Sequence, residues 1–216
     1  MEKYTAPNYR SSAIITIDTQ FDTLDGQPLE IAGTSAALPN IRTLLDAYRK
    51  NGLPIIHIVR IYKRDGSNVD LCRRQAVEEG AAVLLEGSAG CELAPELFRE
   101  NVRLDYDLLL SGRPQTVSEN EVIIYKPRWG AFFDTPLESH LKSQGVDTLV
   151  FTGCNFPNCP RTSIYEASER DYRIVLAEDA VSGLYPQGKQ EMMNIGVHLL
   201  KTAEIESTLM DTLRND

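Results

Sequence analysis

Residues 147–179 read DTLVFTGCNFPNCPRTSIYEASERDYRIVLAED, and the fold follows from how this stretch divides. DTLVFTG (147–153) and YRIVLAED (172–179) are short apolar runs rich in β-branched residues, the pattern of buried strands. Between them CPRTSIYEASERD (159–171) has the length and composition of a helix. Strand, helix and strand in that order form a βαβ unit, whose two strands lie parallel. The connecting GCNFPNCP (153–160) holds two cysteines five positions apart, a spacing that matches neither a CxxC redox motif nor a common zinc motif.

The same alternation extends in both directions. Upstream, AIITIDT (13–19) is a buried strand, LPNIRTLLDAYRKNG (38–52) a helix closed by glycine, and LPIIHIVR (53–60) a second strand. EVIIYK (121–126) is a further strand, followed by a helix over TPLESHLKSQG (135–145) with Pro136 in its first turn. Downstream, QGKQEMMNIGVHLLKTA (187–203) reads as a helix, and EIESTLMDTLRND (204–216) as a short strand or bridge with a final helix. Residues 60–115 are less regular. NVDLCRRQAVEEG suggests a short helix and ELAPELFRE a broken one, with no boundary that separates a second domain. The expectation is one α/β domain spanning 1–216, a parallel sheet with helices on both faces.

Composition narrows the function classes. The chain has 216 residues, 42% hydrophobic and 25% charged, ordinary values for a protein with a substantial core. Its 22 basic against 31 acidic residues give a net charge of −9, which disfavours nucleic acid as a partner. No apolar run approaches a membrane span, and MEKYTAPNYRSS lacks the order of a signal peptide, so a cytoplasmic protein with no membrane partner is expected. Four cysteines (Cys72, Cys91, Cys154, Cys159) are too few for a disulfide scaffold. Three scattered histidines (His57, His140, His198) offer little to a zinc ion, so no metal is expected.

In a parallel α/β sheet the ligand site lies beyond the carboxyl ends of the strands. That rule selects Asp18, Arg60, Lys126, the 153–159 loop, and Glu178 with Asp179. Each alone has an ordinary structural role: a loop carboxylate, a solvated lysine, a buried cysteine, and for Glu178 and Asp179 a capping function. Together Asp18, Lys126 and Cys159 make coherent chemistry. A thiol attacks as thiolate, and a helix N-terminus with a nearby ammonium favours that form. Asp18 is placed to take the thiol proton and return it to a leaving nitrogen.

The order IDTQ, YKPRWGAFFDTPLESHL and VFTGCNFPNCPRTSIYEASERDYRIVLAEDAVSG resembles the isochorismatase-like cysteine hydrolases, over roughly residues 11–206. The resemblance implies a three-layer αβα fold with a central six-stranded parallel sheet, Rossmann-like in topology. It implies a catalytic triad of Asp18, Lys126 and Cys159, with Gly153 and Cys159 keeping the family's spacing. It further implies a cis peptide at Cys154–Asn155 that turns the Asn155 N–H toward that of Cys159, the two forming an oxyanion hole. Family members commonly form dimers or tetramers, so a homo-oligomer is expected. Cys154 keeps a second possible role, that of a resolving thiol.

The chain departs from the family in places. Phe156 and Pro157 stand where the family has threonine and aspartate, and Pro160 follows the cysteine in place of a small aliphatic residue. The Asp and His metal motif of nicotinamidases is absent after the second strand, where HIVRIYKRDGSNVDLCRR stands instead, and His57 falls inside an apolar strand. The expected reaction is hydrolysis of a C–N bond in a small carboxamide or ureido compound through a thioester, with no cofactor. The alternative is vinyl-ether hydrolysis of the isochorismatase type, with Asp18 as general acid and no need for the thiol. Trp129 and Phe132 are candidates to wall a substrate pocket, and Arg60, Arg64 and Arg161 to hold a substrate carboxylate.

Overall fold

The computed structural model describes residues 3–214. Among these residues seven strands form one sheet: β1 (Ser12–Ile17), β2 (Ile55–Val59), β3 (Gln115–Ser118), β4 (Glu121–Tyr125), β5 (Thr148–Gly153), β6 (Arg173–Val181) and β7 (His198–Leu200). Their order is β3-β4-β2-β1-β5-β6-β7, and every neighbouring pair is parallel except β3 with β4. The helices are α1 (Thr34–Lys50), α2 (Leu71–Glu78), α3 (Tyr106–Leu110), α4 (Leu137–Ser143), α5 (Cys159–Ser168), α6 (Pro186–Asn194) and α7 (Thr202–Arg214).

The central strands are apolar along their whole length because both faces are covered. Ile14, Ile55 and Val59 pack with Ile41, Leu44 and Tyr48 of α1 and Ile205 and Leu209 of α7. Ile15, Ile17, Ile56 and Ile58 point the other way, toward Leu141 of α4, Ile164 of α5 and Met192 of α6. Alternate side chains of one strand thus feed opposite layers, which produces the three-layer αβα arrangement.

Two strands correct the expected six-stranded parallel sheet. β3 pairs antiparallel with β4 (Thr116 opposite Val122) across only two intervening residues. Its sequence, QTVS, is short and half-exposed, so it carries no buried-strand signal. β7 lies inside the stretch read as one helix over 187–203. Helix α6 stops at Asn194, and Gly196, at φ +83°, turns the chain in the left-handed region. Residues 198–200 then pair with β6, so the last short strand precedes residue 204. Asp179 accepts from both N–H and Oγ1 of Thr202 (2.8 Å each) and caps α7, while Glu178 pairs with Lys189 at 2.7 Å.

One buried ion cluster ties α1 to the sheet. Arg49 grips the Glu121 carboxylate with Nε (3.0 Å) and Nη2 (2.6 Å), and His57 Nε2 lies 2.8 Å from Glu121 Oε1. A carboxylate only accepts, so His57 donates through Nε2. Burial holds the ring neutral, and its Nδ1 accepts from Thr16 Oγ1 at 2.8 Å. His57 is therefore a core residue. Burial raises the Glu121 pKa, but the His57 and Arg49 bonds outweigh it and bring the carboxyl down to about 2 from an ordinary 4.5. A depressed carboxyl pKa stabilises the fold fully above the ordinary value, and that stability is lost as pH falls from 4.5 toward 2. Denaturant unfolding should show this loss for the wild type and a clearly shallower pH slope for Glu121→Gln; equal slopes would exclude the assignment.

Candidate active site

The crevice where chain connections diverge lies between β1 and β5, since β2 and β4 extend the sheet on one side of β1 and β5 and β6 on the other. Residues just past the ends of β1, β2, β4 and β5 meet there. Asp18 follows β1 with φ +48°, an uncommon conformation for a residue with a side chain. Three contacts hold its backbone. Its N–H donates to Ile58 O (2.9 Å), and its carbonyl accepts from Thr23 Oγ1 (3.0 Å) and Cys154 Sγ (3.1 Å). Burial pushes the Cys154 thiol up to about 12, which keeps it a donor. Cys154 thus serves to position Asp18.

Lys126, immediately after β4, is fully buried. Its Nζ lies 2.8 Å from Asp18 Oδ2, 3.3 Å from Cys159 Sγ and 3.2 Å from Arg128 O. An ammonium has three N–H donors, and these are three acceptors. The structure therefore brings Asp18, Lys126 and Cys159 into one cluster. Cys159 opens α5, with Pro160 next to it where no intrahelical N–H is needed. Burial pushes the thiol up to about 12 and the Asp18 charge adds to this, while Lys126 and Arg60 pull the other way. At rest the sulfur carries its proton, and attack by it requires a base.

The loop from β5 to α5 bends sharply around the thiol. Gly153 has φ +106°, and the Cys154–Asn155 peptide is cis. The N–H groups of Phe156 and Asn158 are used, by Ser182 O (2.8 Å) and Asn155 O (3.0 Å). Those of Asn155 and Cys159 take no backbone acceptor among the loop and turn bonds of the described residues. Phe156, in place of a hydroxyl residue, is buried and meets the Tyr185 ring edge-on at 5.6 Å.

The other candidates separate. Trp129 is half-buried, with the Arg73 guanidinium 5.2 Å over its ring. Phe132 is a core residue, stacked near Tyr172 (5.9 Å) and beneath Arg170 (4.9 Å), so it walls the interior of the α5 layer. Arg161 is committed to Glu191 (2.6 Å) and to the Tyr185 hydroxyl, because its place on α5 turns it toward α6. Arg64 lines a surface groove beside α2. Arg60, by contrast, is buried at the site, and its charge acts on both Asp18 and Cys159. Sequence reading does not single out Arg73, Asp70 and Tyr62, which surround Arg60 from the irregular segment after β2. Asp70 accepts from Arg60 Nη1 (3.0 Å) and from the Tyr62 hydroxyl (2.6 Å), and Arg73 donates to that hydroxyl (2.9 Å). Asp70 stands at the N-cap position before Leu71 but makes no side-chain cap bond, its carboxylate being turned to Arg60 and Tyr62; an aspartate in that position was the available signal. Among the described residues no cluster of three or more His, Cys, Asp or Glu could hold a metal ion.

Comparison with known proteins fits this geometry. A family model for the isochorismatase domain matches residues 12–103 and 109–205. A protein of Arabidopsis thaliana described as a "probable inactive nicotinamidase" is 30% identical over 199 residues, covering 89% of this chain and 93% of that one. The ureidoacrylate amidohydrolase RutB of Klebsiella pneumoniae is 26% identical, covering 92% of this chain and 85% of its own length. The crystal structure of an isochorismatase family protein from Desulfovibrio vulgaris superposes with a TM-score of 0.78 at 27% identity, covering 93% of this chain and 98% of that one. With nearly the whole sheet and both ends of the crevice inside that match, the chain belongs to the isochorismatase family.

Proposed function

We propose that the protein is a cysteine-dependent hydrolase that cleaves a C–N bond in a small carboxamide or ureido compound. The observation that carries this reading is Lys126 Nζ set between Asp18 Oδ2 and Cys159 Sγ, with all three side chains buried. The amidohydrolase among the relatives supports the reaction class.

The steps follow from the resting protonation. As the substrate carbonyl reaches Cys159, Asp18 takes the thiol proton and the sulfur bonds to the carbonyl carbon. The carbonyl oxygen becomes an oxyanion that accepts from the N–H groups of Asn155 and Cys159. Lys126 balances the negative charge as it moves between sulfur and carboxylate. Collapse expels the nitrogen, which leaves with the proton held by Asp18, and a thioester remains. Water then attacks, giving one proton to Asp18, and the released sulfur recovers it as the acid departs. A high resting thiol pKa suits this order, because the sulfur ionises only when a carbonyl is there to attack.

The test is ammonia release from a panel of small carboxamides and ureido acids, with rapid quenching and mass analysis of the Cys159 peptide. Release accompanied by an acyl adduct on Cys159 supports the reading. Ammonia without any adduct on that peptide, under conditions where deacylation is slowed, removes the thioester route.

A further inference from the structure

Resting on that hydrolase reading, we infer that Ser163 and Glu166 are positioning residues of the reaction. They clamp the segment after Lys126 to the helix that carries Cys159, and so hold the ammonium at the sulfur. Lys126 itself is anchored through its N–H to Val59 O (2.9 Å). Beyond it, among the loop and turn bonds of the described residues, no N–H from 128 to 135 reaches a backbone carbonyl. Two of these N–H groups end on α5 instead. Ala131 donates to Ser163 Oγ (3.0 Å) and Phe132 to Glu166 Oε2 (2.9 Å). Buried backbone donors need acceptors, so these two side chains determine where the segment lies.

Cys159, Ser163 and Glu166 follow one another at four and three residues, the spacing that sets side chains along one face of a helix. Ser163 is fully buried and its hydroxyl is used in both directions, accepting from Ala131 and donating to Cys159 O (2.7 Å). A helical serine bonded back to the carbonyl four residues before it is common. The bond from Ala131 gives this one a second task, because two hydrogen bonds in series now join the segment to the backbone of the cysteine. The start of the segment holds the lysine: Arg128 O accepts from Lys126 Nζ (3.2 Å), beside Asp18 and Cys159 Sγ. A shift of the segment would carry Arg128 O with it and draw the ammonium off the sulfur.

The segment approaches Glu166 as closely as only glycine permits. Gly130 is buried, and a Cβ there would stand 2.2 Å from both carboxylate oxygens of Glu166. Burial pushes the Glu166 carboxyl above its ordinary range, while the Phe132 bond and the charges of Arg170 and Lys126 pull the other way. The clamp and the ammonium it places are therefore within electrostatic reach of each other.

Alkylation of Cys159 by iodoacetamide, read on the Cys159 peptide, tests the clamp without needing turnover. The sulfur bonds to the methylene carbon, iodide leaves and the thiol proton passes to the buffer. At one pH the rate follows how well the site supports the thiolate. Loosening alone would open the site and speed the reaction, whereas moving Lys126 off the sulfur slows it. Ser163→Ala is expected to slow alkylation about tenfold, and Ser163→Thr, which keeps the hydroxyl, to stay within about threefold of wild type. Gly130→Ala pushes aside only the end of a flexible side chain, so it should fold and slow the reaction about threefold. Glu166→Gln keeps an acceptor for Phe132 and should match wild type. With Lys126→Met already present, Ser163→Ala should have no further effect, because there is no ammonium left to place. An unchanged or faster rate in Ser163→Ala, equal slowing in Ser163→Thr, or the same slowing without Lys126 overturns the clamp. Where Ser163→Ala does not fold, Gly130→Ala decides by the same signs.

Turnover separates the two readings. On a hydrolysed amide, Ser163→Ala should lower kcat and leave KM nearly unchanged, since the clamp acts through Lys126. Wild-type kcat in that variant overturns the clamp and leaves the hydrolase. The expected alkylation pattern with no hydrolysis of any amide or ureido acid supports the clamp and counts against the hydrolase.

Discussion

Replacing Cys159 with alanine is expected to lower kcat by about 10,000-fold or more on any substrate the wild type hydrolyses, with the melting temperature nearly unchanged. The size follows from the role proposed for the sulfur: without it no covalent intermediate forms, and what remains is binding and the polar surroundings of the carbonyl. The fold should survive because Cys159 is a small side chain on the first turn of α5, and Pro160 and the Ser163 contact to its carbonyl (2.7 Å) remain. Lys126 loses one acceptor but keeps Asp18 and Arg128 O. Steady-state kinetics and a thermal melt on the same preparation check both halves. Retention of turnover within tenfold would sink the nucleophile assignment and shift weight to acid catalysis by Asp18 on a vinyl ether. Asp18→Asn would then be the damaging substitution.

Gly153→Ala is expected to destabilise the protein by at least about 4 kcal/mol, roughly a 10 °C fall in melting temperature for a chain of this length. Two effects add at this position. The residue sits at φ +106°, outside the regions open to side chains, and a Cβ there would stand 2.2 Å from Ile17 O and 2.6 Å from Ile17 N. Those atoms are backbone of the central strand, held by the β1–β5 ladder, and cannot rotate away. Gly145 is the control, since it also has positive φ (+66°) but nothing within 4 Å of a Cβ. Its alanine variant should lose only about 1–2 kcal/mol. Melting temperatures of the two variants within about 3 °C of each other would show that the close approach to Ile17 does not matter. The same glycine sets where the chain leaves β5, so the variant should also disturb Cys154, whose N–H donates to Ile17 O at 2.8 Å.

The proposed cluster of Asp18, Lys126 and Cys159 was legible before the fold because a strand's end is written in its composition. AIITIDT, EVIIYK and DTLVFTG each run from apolar to polar, so Asp18, Lys126 and the 153–159 loop fall at one edge once the strands are parallel. Anchoring groups are harder to place. Arg60, Arg64 and Arg161 are alike as letters. Only their neighbours distinguish a guanidinium held by Asp70 from one spent on Glu191 or one facing a surface groove.

The sequence by itself determined the α/β alternation, the sheet edge at which chemistry is possible, and Asp18, Lys126 and Cys159 as the residues standing there. These depend on local periodicity and on the rule that parallel strands open at one end. The tertiary structure alone decided that β3 and β7 join the sheet, that Cys154 braces Asp18, and that Arg60 is buried against Asp70. Each of these depends on which distant groups satisfy a given donor or acceptor: β3 needs β4, the Cys154 thiol needs the carbonyl of Asp18, and Arg60 needs the carboxylate of Asp70. Hydrogen-bond satisfaction is a property of the packed chain, and no window of residues contains it.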